Sequence, residues 1–133
     1  MNFKELKKLD LESNKIIDVG VFQKINSEKL EVLNLCDNKI NNINKLENIN
    51  FKELKQLDLS YNQISDIGVL DKVKIEKLES LNLSNNKIKS IQSLRNINFK
   101  SLTNLNLSHN SITDKEFLEK IKKDKFTSIK FIY

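Results

Sequence analysis

The sequence predicts an α/β solenoid: short parallel strands in one sheet, joined by turns and short helices around the outside. Three observations predict it. Leu6, Leu30, Leu54, Leu78 and Leu102 stand 24 residues apart, and Phe126 keeps the step. Each Leu opens a segment that ends in a two-residue alternation, as in Leu54, Leu57 and Leu59, which suits a short strand with one buried face. An Asn closes each of the first five segments. A single strand and turn cannot bury its apolar face alone, so copies stack and their Leu positions become columns of a shared core. Strands separated by a full coil run in the same direction, which makes the sheet parallel.

The elements follow in order from this register. Strands are expected over 8–11, 32–35, 56–59, 80–83, 104–107 and 128–131. Beyond each of the first five, Asn14, Asn38, Asn62, Asn86 and Asn110 sit where the chain turns. An amide both donates and accepts, so a ladder of them can satisfy turn groups that would otherwise be buried unpaired. This column is read as structural rather than as a binding row. The outer segments come in two kinds. Asn2, Asn50 and Asn98 begin NFKELKKLDL, NFKELKQLDL and NFKSLTNLNL, so a 48-residue pair overlies the 24-residue unit. Odd coils carry Asp18, Asp66 and Asp114, each well placed to cap a short helix whose inner face is Phe22/Ile25, Leu70/Val73 or Leu118/Ile121. Even coils run Ile40, Ile43, Leu46, Ile49 and Ile88, Ile91, Leu94, Ile97; a strict three-residue step favours 3₁₀-like or irregular turns over a full α-helix.

The pattern L-x-x-L-x-L-x-x-N-x-I, as in Leu30, Leu33, Leu35, Asn38, Ile40 or Leu78, Leu81, Leu83, Asn86, Ile88, resembles the leucine-rich repeat family over essentially the whole chain. The resemblance implies a right-handed solenoid with a curved parallel sheet on a concave side, short helices and turns on a convex side, and docking on the concave face. It makes residues 1–133 one domain, with five full repeats starting near Leu6, Leu30, Leu54, Leu78 and Leu102 and a partial sixth at Phe126. The segment Ile64-Ser65-Asp66-Ile67-Gly68 is similar to the I-[ST]-D-x-G turn of F-box-associated repeats, from which Ile17 and Glu116 depart.

Composition excludes several classes. No run approaches the ~20 apolar residues of a membrane span. With one His and one Cys there is no metal-ligand cluster, and no nucleophile, base and acid share a register position, so no cofactor, metal or catalysis is expected. The lone Cys36 argues against a disulfide-built extracellular module. The sequons at Asn82-Leu83-Ser84 and Asn106-Leu107-Ser108 would put glycans on the strand face. No charged-then-apolar leader follows Met1, and a cytoplasmic location is expected. Neither terminal repeat carries a polar cap, which leaves end-to-end self-association open.

Charge narrows the partner. The net charge is +5, yet the outward strand positions carry four Lys against six Asp or Glu. Their central column reads Asp10, Asn34, Asp58, Asn82, Asn106, Lys130. A nucleic-acid groove needs the opposite sign, so none is expected. The expected function is a non-catalytic module that binds a partner protein through Asp58, Tyr61, Asn82, Asn106 and His109. Tyr61, His109 and Tyr133 share the eighth repeat position, and a Tyr buries area while keeping a polar handle. Two other readings stay open: a structural segment of a longer array whose site lies elsewhere, and weak polyanion binding through convex lysines.

Overall fold

In the computed structural model, which describes residues 3–25, 28–95, 100–124 and 130–132, six three-residue strands form one sheet in sequence order. They are β1 (Lys8–Asp10), β2 (Val32–Asn34), β3 (Gln56–Asp58), β4 (Ser80–Asn82), β5 (Asn104–Asn106) and β6 (Lys130–Ile132). Every pair is parallel, and Leu9, Leu33, Leu57, Leu81 and Leu105 face one another across the first four. The Leu columns make the core. Leu33, Leu35, Leu54, Leu57, Leu59, Leu78, Leu81 and Leu83 are all buried, as are the outer-turn residues Ile40, Ile43, Leu46, Ile88, Ile91 and Leu94. Leu6, Leu9, Leu11 and Ile16 of coil 1 are only partly buried, because a neighbouring coil covers them on one side.

The outer turns differ from the expectation in the first and third coils. Val19–Lys24 and Gly68–Asp71 are 3₁₀, like Asn44–Asn48 and Gln92–Arg95 of the even coils. Among the described residues only Lys115–Asp124, in the fifth coil, forms an α-helix, α1. A 3₁₀ turn rises about 2.0 Å per residue against about 1.5 Å in an α-helix, so a 24-residue coil crosses its outer side economically only as 3₁₀. The fifth coil is longer. Leu105 faces Phe131, 26 residues on rather than 24, and Asn106 faces Ile132. The last strand therefore sits two residues later than the unbroken register places it, and Lys130 joins the row of Lys8, Gln56 and Asn104 instead of the central column. Phe126, Ile129, Ile97 and Tyr133 lie outside the described residues.

The capping role of the odd-coil Asp residues takes a specific form. Asp18 and Asp66 each accept the N–H of the Gly two residues on, at 2.7 Å. Asp18 also holds the Lys45 ammonium of the next coil, which pulls its carboxyl below the usual range; the Gly20 bond adds to this. Asp114 instead bonds back to the Ser90 hydroxyl and the Ile91 N–H.

Charges of opposite sign meet at 24-residue steps. Lys29 binds Glu5 and Lys77 binds Glu53, both at 2.7 Å, while Glu31 lies 2.9 Å from Lys55 and 3.5 Å from Lys7. Lys55 holds the Glu31 carboxyl below its ordinary range, and Glu31 raises Lys55 in return, with Glu79 and Glu53 adding. Coils 1 and 3 thus present Glu then Lys where coils 2 and 4 present Lys then Glu, and coil 5 carries Ser101 and Thr103 there.

Candidate docking face

The Asn column turns inward. Asn62 donates to the carbonyls of Leu35, Leu59 and Ser60 at 2.9–3.1 Å and accepts the Ile40 N–H at 2.9 Å. Asn38, Asn86 and Asn110 repeat the set, accepting from Ile16, Ile64 and Ile88. Asn14 is exposed and bonds only to Leu11 and Glu12 of its own turn. Each interior Asn therefore joins one coil to its neighbour.

The opposite sheet surface is open, and here the strand-end residues form a second ladder that sequence reasoning missed. Asp58, Asn82 and Asn106 face one another across β3, β4 and β5. Asp58 Oδ1 accepts both the N–H and the hydroxyl of Ser60, at 2.8 and 2.5 Å. Asn82 and Asn106 accept in the same way from Ser84 and Ser108. Asp10 and Asn34 accept the N–H two residues on. The Asn82 amide also donates to Asp58 Oδ2 at 3.0 Å. One carboxyl or carbonyl oxygen per residue is thus committed to the turn, and a partner meets only what remains. The Asx-x-Ser spacing carried this signal, since Asp and Asn side chains commonly bond the backbone two residues on. Ser60 and Ser84 are buried as a consequence.

The third residue past each strand end lies in left-handed conformation: Ser13, Asp37, Tyr61, Asn85 and His109 all have φ of 53–54°. Asn and Asp tolerate this region, whereas a bulky side chain such as Tyr is strained there. Tyr61 is nonetheless 58% exposed, with Asp58 three residues before it and Asp37 and Asn85 at the same position in the flanking coils. His109 is exposed two coils away. On the same sheet, a hollow of about 200 Å³ crosses β2, β3 and β4, lined by Val32, Asn34, Gln56, Asp58, Ser80 and Asn82. Tyr133 lies outside the described residues.

The Cys36 thiol accepts from the Ser60 hydroxyl at 3.3 Å, but burial, then Asp58, Glu12 and Asp37, push its pKa up and keep it protonated. Among the described residues no group of three His, Cys, Asp or Glu could hold a metal ion, and no helix is long and apolar enough to cross a membrane.

Comparison with known proteins agrees with this architecture. The family described as Leucine Rich repeats (2 copies) matches residues 52–96 and 76–120, and Leucine rich repeat matches 4–64. An internalin (InlF) of Listeria monocytogenes superposes with a TM-score of 0.76 and 30% identity over 97% of this chain and 35% of its own. Internalin C2 of the same organism gives 0.75 and 28% over 96% of this chain and 52% of its own. A leucine-rich repeat protein of Leptospira interrogans gives 0.74 and 30% over 98% and 31%. The chain thus spans between 31% and 52% of the length of these structures. No curated protein matches the sequence.

Proposed function

The chain belongs to the leucine-rich repeat family, and from that premise we propose that its concave strand face docks another protein without catalysis. Solenoids of this kind expose a broad surface that a single compact domain lacks. The observation that carries the reading is Tyr61. An aromatic side chain is held largely in solvent, at a left-handed position where Asn would fit without strain, three residues beyond Asp58, which lines the hollow across β2–β4. Local strain of this kind clusters at functional positions. Tyr is also among the residues that dominate interface energetics. Asp58, Asn82 and Asn106 line the approach with the polar atoms their turns leave over, and His109 borders it.

The test is capture of a purified candidate partner by immobilised wild-type chain and by two variants. Tyr61→Ala with Gln56→Lys alters the concave face while leaving the core intact. Lys72→Ala with Lys74→Ala alters the convex side. Loss of capture by the first and retention by the second supports the reading; the reverse pattern overturns it. A second reading, a structural segment of a longer array, draws on the partial span of the solved structures. It requires both variants to capture as the wild type does.

A further inference from the structure

The docking face is electrically divided, and the division specifies what should dock there; this rests on the concave-docking reading above. Where the strands begin, Glu5, Glu31 and Glu53 all meet lysines. Where they end, Asp10, Glu12, Asp37 and Asp58 enter none of the ion pairs found among the described residues. Glu12, Asp37 and Asp58 come from three successive coils yet gather around the half-buried Cys36: the Asn34 side chain bonds both Glu12 and the Cys36 N–H, the Asp37 N–H donates to the Ser60 carbonyl, and the Ser60 hydroxyl lies within hydrogen-bond distance of both Asp58 and the Cys36 thiol. Their hydrogen-bond donors are neutral: the Asn34 amide to Glu12, the Ser13 hydroxyl to Asp37, and Ser60 with the Asn82 amide to Asp58. Neutral donors orient carboxylates without cancelling their charge. Coils 4 and 5 carry Asn82, Asn85, Asn106 and His109 at the same edge and no carboxylate.

We propose that this edge receives an extended, arginine-bearing protein segment, its guanidinium between Asp37 and Asp58 and against the Tyr61 ring. Arginine fits better than lysine. Its planar fork matches carboxylates in two bonds, and it stacks on aromatic faces. The segment is extended because the hollow across β2–β4 is shallow and holds a side chain rather than a folded element. A nucleic acid is disfavoured there, since its phosphates would meet four uncompensated carboxylates.

The repeat supplies its own matched variants. Asn34, Asn82 and Asn106 accept the same turn bond as Asp10 and Asp58, and Asn85 occupies the position of Asp37. D10N/D37N/D58N therefore removes three charges and keeps every turn acceptor. A random peptide library is selected on the immobilised full chain, and selected peptides are titrated by fluorescence anisotropy against the wild type and each variant, whose folding is checked by circular dichroism. The expected result is enrichment of arginine, with roughly ten-fold weaker binding to D10N/D37N/D58N and to Tyr61→Ala. Replacing the arginine by citrulline should weaken binding as much. Selected peptides without basic residues that Gln56→Lys still weakens would sink the arginine class and leave concave docking standing. Peptides indifferent to all concave changes but lost on Lys72→Ala/Lys74→Ala overturn both. A selection that enriches nothing overturns the arginine class, with candidate-partner capture then judging the docking face.

Discussion

Replacing the ladder asparagines by alanine, one coil at a time, should give a graded loss of stability whose shape follows from which backbone group each one serves. Asn62→Ala removes four hydrogen bonds, but three of the partners keep another. The Leu35 carbonyl still receives Asn38, the Leu59 carbonyl still receives Asn86, and the Ser60 carbonyl still receives the Asp37 N–H. The Ile40 N–H has no such second partner, and Ile40 is buried. The cost is then that of one orphaned buried donor, about 1–3 kcal/mol, with little added by the carbonyls. Asn86→Ala and Asn110→Ala strand the buried Ile64 and Ile88 and should match it. Asn38→Ala strands Ile16, which is half-buried, and should cost less. Asn14→Ala strands nothing buried and should stay near 0.5 kcal/mol, as exposed substitutions do. Equilibrium urea unfolding at constant m-value measures the series, and hydrogen exchange should show the Ile40 amide deprotected selectively in Asn62→Ala. Equal costs for Asn14 and Asn62, or unchanged Ile40 protection, would refute the reasoning.

Leu57→Ala should cost about 2–5 kcal/mol, because coils on both sides hold the space open, while exposed Gln56→Ala stays within about 0.5 kcal/mol; similar urea midpoints for the two would reverse the assigned faces. Tyr61→Asn should raise stability by about 0.5–1 kcal/mol by relieving the left-handed strain, and a lowered midpoint would show that Tyr61 packs more than its exposure indicates. Glu31 has a lowered pKa, so its contribution is present above the ordinary Glu range and lost as pH falls through the lowered value. Lys55 has a raised pKa, so its contribution is present below the ordinary Lys range and lost as pH rises through the raised value. Melting curves across pH at low salt should therefore flatten in Glu31→Gln, and the difference should vanish near 1 M salt, where the Debye length is about 3 Å. Iodoacetamide should modify Cys36 slowly, and faster in Asp37→Asn/Asp58→Asn, since those carboxylates help to hold the thiol protonated; equal rates would place the carboxylates too far away to act.

The Leu columns and the Asn ladder were legible because a buried face admits few residue types, and a fixed step repeats them. The even coils were legible for the same reason: Ile40, Ile43 and Leu46 at three-residue steps end in a 3₁₀ turn. The fifth coil was legible too, its helix following Asp114 with Leu118 buried, but the first and third coils were not. An Asp before a Gly fits the start of an α-helix and the start of a 3₁₀ turn equally, and the length of chain left to close the coil decides between them. That length also displaced the last strand by two residues, since the α1 helix rises less per residue than the turns it replaces. On the docking face, Tyr61 and His109 were visible as aromatics at a shared position, but the left-handed backbone beneath them was not. Only Asp37 and Asn85 of the five residues there advertise it. Asp58, Asn82 and Asn106 looked free by register, yet each accepts the backbone N–H two residues on, as Asp10 and Asn34 do, and the Ser there adds its hydroxyl.

The alternation of Glu and Lys over the first four coils bears on how such a gene can grow. Stacking energies here are local, so a recombination event that removes one 24-residue coil leaves every Leu column continuous. It would nevertheless set Glu5 above Glu53 and Lys7 above Lys55, where Lys29 and Glu31 now intervene. Like charges in directly opposed positions repel, and each such contact penalises the shortened protein. Loss or gain of two coils restores the sequence of signs. The inheritable module of this solenoid is therefore the 48-residue pair that begins at Asn2 and Asn50, and families descended from it should differ in length by even numbers of coils.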